Sequence, residues 1–129
     1  MKSFSFLLLL STMMLACQNN ASHTEGSEKQ LRHVVMFKFK DSTSIADIQK
    51  VEAAFKALPS KIKEIKSFEW GTNNSPENLA QGFTHCFFLT FSSEADRAVY
   101  LPHPDHKAFG AVLTPHLDKV LVLDYWVEK

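Results

Sequence analysis

The segment Tyr100-Leu101-Pro102-His103-Pro104-Asp105-His106 places a phenol and two imidazoles close together in the chain, and His33 adds a further imidazole far upstream. Imidazole takes up and returns protons near neutral pH, and a phenolic hydroxyl can donate to an oxygen that is gaining negative charge. Together they suit proton abstraction. Pro104 is favoured in a first helical turn, so His103 precedes or caps a helix and His106 falls within its start. The positive end of a helix disfavours imidazolium, which leaves such a ring available as a base. The same residues also fit a purely structural role. His103 would cap, His106 would bond a backbone carbonyl, and Tyr100 would be a core ring with its hydroxyl satisfied.

Other chemistries find less support. Imidazoles three residues apart on a helical turn could share a cation, with His33 or His85 as a third ligand. No carboxylate cluster or Cys-His spacing accompanies them, so neither a metal nor another cofactor is expected. The sequence has no phosphate-cradling glycine loop, nucleophile elbow or zinc-protease motif. With 14 basic and 14 acidic residues and no dense run of either sign, it lacks the electrostatic footprint of a nucleic-acid binder.

The elements that must position these residues follow from periodicity. Residues 31–40 alternate as a strand, with His33, Val35, Phe37 and Phe39 on one side and Val34, Met36 and Lys38 on the other. Both faces are largely apolar. Helices can cover one, and the other then requires a second sheet, which predicts a homodimer. Ser44 can cap a helix carrying Ile45, Ile48, Val51, Phe55 and Leu58, with Pro59 as its stop. Residues 65–72 form a second strand, 73–82 a polar loop, and 84–91 a central strand. Ser93 can cap a short helix to Tyr100, Pro104 opens another to Leu113, and residues 120–127 close the chain as a fourth strand. This order predicts an α+β fold, a ferredoxin-like split βαβ with a four-stranded antiparallel sheet pairing as a dimeric α/β barrel. The 11 phenylalanines would serve mainly core and interface. Phe37, Phe55 and Phe109 are the candidates for lining a pocket for a small apolar ligand.

The chain is long enough for one packed domain, residues 31–129, preceded by segments of different character. Lys2, the apolar residues 4–10 and Ala16 read as an exported protein's signal peptide over residues 1–16. Met14-Leu15-Ala16-Cys17 resembles a bacterial lipoprotein box, although Met14 stands where Leu is usual. Cys17 would then carry lipid and hold the protein on a membrane of the cell envelope without crossing it. Residues 18–30 lack large apolar side chains and form a tether. Cys86, lying in an apolar run, is expected in the buried core as a free thiol.

The residues of 31–41, then Trp70-Gly71, Gly82-Phe83-Thr84-His85, and Tyr100-Leu101-Pro102-His103-Pro104-Asp105-His106 together resemble the stress-responsive dimeric α/β barrel (Dabb) family. The likeness spans residues 31–126. It implies either a noncatalytic stress-associated binding domain or a small lyase or cyclase, since family members include plant stress proteins and a polyketide cyclase that performs an aldol condensation. Residues lining that cyclase's pocket match His33, Tyr100 and His106 here, and the resemblance implies His106 as a base removing a proton alpha to a carbonyl, Tyr100 as donor to the developing enolate or alkoxide, and His33 as the group that orients the pair. Another of its pocket tyrosines falls at Phe55, so the resemblance does not carry that substrate over.

Overall fold

The computed structural model describes residues 29–128. The proposed leader, tether and lipidated Cys17 lie outside them. Within them the chain runs β1 (Leu31–Phe39), α1 (Ile45–Lys56), α2 (Leu58–Lys61), β2 (Ser67–Thr72), β3 (His85–Phe91), α3 (Glu94–Tyr100), α4 (Pro104–Leu113) and β4 (Leu117–Trp126). The strands form one four-stranded antiparallel sheet in the order β2-β3-β1-β4. The fold is the expected ferredoxin-like α+β arrangement.

Local chemistry sets the helix starts. The Asp47 amide donates to Ser44 Oγ at 3.1 Å, and the Asp96 amide to Ser93 Oγ at 3.0 Å. His103 caps α4 in the same way, its Nδ1 accepting from the Asp105 amide at 3.2 Å. Each cap satisfies an amide that has no partner inside its helix. Several boundaries differ from the sequence expectation, β2 for one beginning at Ser67 rather than at residue 65, and two differences have a clear cause. Pro59 does not stop helical structure but sits in the first turn of α2, where its missing N–H costs nothing. β4 begins at Leu117, because it pairs with β1 as far as Phe39 through a register shift between Lys38 and Phe39.

The sheet has two faces of different fate. On the inner face Phe37, Phe87, Leu89 and Phe91 meet Val51, Phe55, Phe109 and Leu113 from the helices. Phe55 stacks on Phe87 with ring centroids 4.2 Å apart and lies 4.5 Å from Phe109. Burying each such ring contributes roughly 1.5–3 kcal/mol. No helix fully covers the inner face of β4, where Val120 is 48% and Val122 46% exposed. The outer face bears Val34, Met36, Phe88, Leu121, Leu123 and Tyr125, with the Arg32 guanidinium 5.1 Å above the Phe88 ring.

Cys86 belongs to this outer face, opposite Met36 and Gly71, and is partly exposed rather than in the core. Strand parity decides this: Phe87 points inward, so its neighbours point outward. Partial burial and the nearby Glu69 carboxylate push the Cys86 thiol's pKa up. That keeps it protonated and weakly nucleophilic.

Candidate functional site

The uncovered inner face of β4 opens into a cavity of about 400 Å³ between α4, β1 and β4. Phe37, Phe55 and Phe109 all line it, as do His33, Tyr100 and His106. The sequence-predicted pocket residues thus come together. His33 enters from β1 on the inward parity. Tyr100 is the last residue of α3, and His106 stands in the first turn of α4, so the turn between these helices sets their approach.

The rings are in contact, but the three side chains do not hydrogen-bond to one another. Tyr100 and His106 have centroids 4.3 Å apart, and His33 meets Tyr100 edge-on at 5.6 Å. His106 Nδ1 lies 2.9 Å from the Leu101 carbonyl. A carbonyl can only accept, so Nδ1 carries the proton, and in the neutral ring Nε2 keeps the free lone pair. The backbone-bonded reading of His106 and its reading as a base are therefore compatible: the carbonyl fixes the tautomer that a base at Nε2 requires.

His33 is held differently from the expectation that it orients the other two. Its Nδ1 pairs with Asp124 Oδ1 at 2.9 Å, and Arg97 Nη1 approaches the same oxygen at 3.1 Å. Asp124 and Arg97 were not singled out from the sequence. The signal was present in β4, where Val120, Val122 and Asp124 share one face and a carboxylate breaks an apolar series. A charge placed on an inward position is retained where a partner meets it.

Tyr100 lines the cavity and is fully buried. Among the described residues its oxygen is the buried side-chain polar atom without a hydrogen-bond partner. Burial, and secondarily the Asp124 charge, push its pKa above the ordinary phenol range. The group stays a neutral donor.

His85 lies apart. Its Nε2 pairs with Glu52 Oε1 at 3.0 Å and its Nδ1 meets Thr84 Oγ1 at 2.8 Å, so both ring nitrogens are engaged. It borders a separate recess of about 280 Å³ with Met36 and Cys86. Among the described residues no three His, Cys, Asp or Glu side chains group as metal ligands.

The motif order and this geometry agree with one family: the Stress responsive A/B Barrel Domain, Dabb, whose family model matches residues 31–127. The chain belongs to the Dabb family. It is 40% identical over 101 residues to the stress-response A/B barrel domain-containing protein HS1 of Arabidopsis thaliana, covering 78% of this chain and 93% of that protein. Olivetolic acid cyclase of Cannabis sativa is 30% identical over 99 residues, covering 77% of this chain and 98% of the cyclase. Among solved structures, hydroxynitrile lyase from Passiflora edulis superposes with a TM-score of 0.74 at 31% identity, covering 79% and 96% of the two chains. A dimeric ferredoxin-like protein of unknown function from Bacteroides fragilis superposes with a TM-score of 0.63 at 27% identity, covering 76% and 96%. Proteins similar to this one thus include named enzymes and a dimer.

Proposed function

We propose that this Dabb protein binds a small, largely apolar carbonyl compound in the cavity between α4 and β4. The observation that carries this reading is the make-up of the cavity. Its volume of about 400 Å³ falls in the range of small-molecule sites, and phenylalanine walls surround one contiguous group of hydrogen-bonding residues, His33, Tyr100, His106 and Asp124. Such a site buries an apolar body and orients one polar group.

A second reading adds chemistry, and the His106 tautomer favours it. Nε2 takes a proton from the carbon next to the ligand carbonyl, the C–H electron pair becomes a C=C bond, and the carbonyl π pair moves onto oxygen as an enolate. The Tyr100 hydroxyl, which has no hydrogen-bond partner of its own, donates to that oxygen. The enolate then takes back a proton or attacks a second carbonyl in an aldol-type step, as a polyketide-cyclase-like lyase would require. The named cyclase and lyase among similar proteins support this reading.

The test is a long-chain aliphatic methyl ketone in heavy water with the wild type and His106→Ala. Amide shifts at Phe109 and Val122 should report binding to both proteins. Exchange of the ketone's alpha hydrogens should fall by about 10²-fold or more in the variant, the usual contribution of a positioned base. Equal exchange in both would remove the chemistry and leave the binding reading. Shifts in neither would remove both.

The proposal extends to assembly and place. The outer sheet face pairs with the same face of a second copy, a reading supported by its apolar residues and by the dimeric relative. Residues 1–16 direct export, and acylated Cys17 holds the domain on an envelope membrane; the leader's composition and the Leu15-Ala16-Cys17 order support this.

A further inference from the structure

The charged groups of the cavity do not balance. Asp124 is matched by Arg97 at 3.1 Å and by His33 at 2.9 Å. Lys107, which also lines the cavity, is exposed and makes no ion pair among the described residues. Asp105, two residues earlier on α4, faces away from it and lies 3.6 Å from Lys61 Nζ. The unmatched charge at this cavity is therefore positive.

Lys107 follows His106 on α4, and both share a helical face with Gly110, at spacings of three and four residues. Gly110 also lines the cavity, and a Cβ built there meets nothing within 4 Å. The open space is at Gly110, and Lys107 lines the same cavity as the half-exposed Val120 and Val122 of β4. An ammonium on a flexible stem, next to apolar side chains and free of partners, suits an anionic group at the end of an apolar body.

We infer that the ligand of this cavity is an anionic amphiphile: its carbonyl sits among His33, Tyr100 and His106, its apolar body lies on the phenylalanine wall, and Lys107 holds a carboxylate or similar anion. This rests on the binding reading above and narrows its substrate class. Lys107 is a specificity residue and takes no part in proton transfer.

The test compares two probes that differ only in charge: an oxodecanoate with its ketone at the end of the chain opposite the carboxylate, and the methyl ester of that acid. Binding is followed by amide shifts in the full mature chain. Wild type should bind the acid more tightly than the ester by about fivefold, the scale of one solvent-accessible ion pair. Lys107→Gln should erase that preference by weakening the acid alone, with unchanged ester binding showing that the fold and cavity are intact. Lys107→Glu should reverse it. Equal affinity of acid and ester in wild type, unaltered by either substitution, would overturn the inference while leaving the binding reading in place. If neither probe binds, both fall together.

Discussion

A hydroxyl sealed in an apolar wall is a liability for the fold, and Tyr100 carries one. Its side chain is fully buried and its oxygen has no hydrogen-bond partner. An unsatisfied buried hydroxyl costs about 1–3 kcal/mol, so Tyr100→Phe should raise stability, by about 1 kcal/mol in urea unfolding near neutral pH. The pH dependence has a definite sign. The folded-state pKa is raised, so the native protein holds the phenolic proton more tightly than the unfolded chain. That contribution to stability is present below about pH 10, the unfolded value, and is lost as pH rises beyond it. Wild type should therefore lose more stability between neutral and strongly alkaline pH than Tyr100→Phe; parallel losses would show that the phenol is not held neutral by burial. At this scale Tyr100 and His106 were legible because the helix-opening Pro104 fixes their local setting, and His33 because strand alternation puts it on the face of Val35 and Phe37. Asp124 was not, since its meaning depends on the register of β4 against β1, which places it opposite His33.

Among the elements, the strands were the most legible and their ends the least. Alternation identified both faces of β1 and β3, because residue types two apart share an environment. It could not place Cys86, whose apolar neighbours line both faces and so hide which side is covered. Pro59 misled for a related reason: proline ends one helix and opens another with equal ease, and only packing chooses. The outer face of the sheet gives a prediction of its own. Leu123 is 54% and Tyr125 46% exposed there, beside Val34 and Phe88. A carboxylate at the centre of such a face would have to be desolvated without a partner on pairing. Leu123→Asp should therefore sediment as a monomer at micromolar concentration, while wild-type domain sediments as a dimer. A monomeric wild type would remove the barrel assembly.

For the molecule as a whole, the proposed anchor and the cavity sit in separate parts of the chain and can fail separately. If residues 1–16 are removed on export and Cys17 is acylated, mass spectrometry of the mature protein should find an N-terminal fragment carrying diacylglycerol on Cys17. An unmodified or missing Cys17 would refute the anchor and leave the domain's chemistry untouched. The fold was readable because separated motifs agreed in order. The existence of a cavity was not, because phenylalanines that fill a core and phenylalanines that line a pocket are alike in sequence. What distinguishes them is the failure of the helices to cover Val120 and Val122. Gly110 provides the direct test of that cavity. A side chain there meets no neighbour at Cβ, so Gly110→Leu should fold normally and gain roughly 0.5–1 kcal/mol from helix propensity while extending into the open space. Titration with the long-chain methyl ketone, followed by amide shifts along α4 and β4, should show saturable binding to wild type and none to Gly110→Leu. Unchanged affinity in a folded Gly110→Leu would contradict the claim that ligand occupies this cavity.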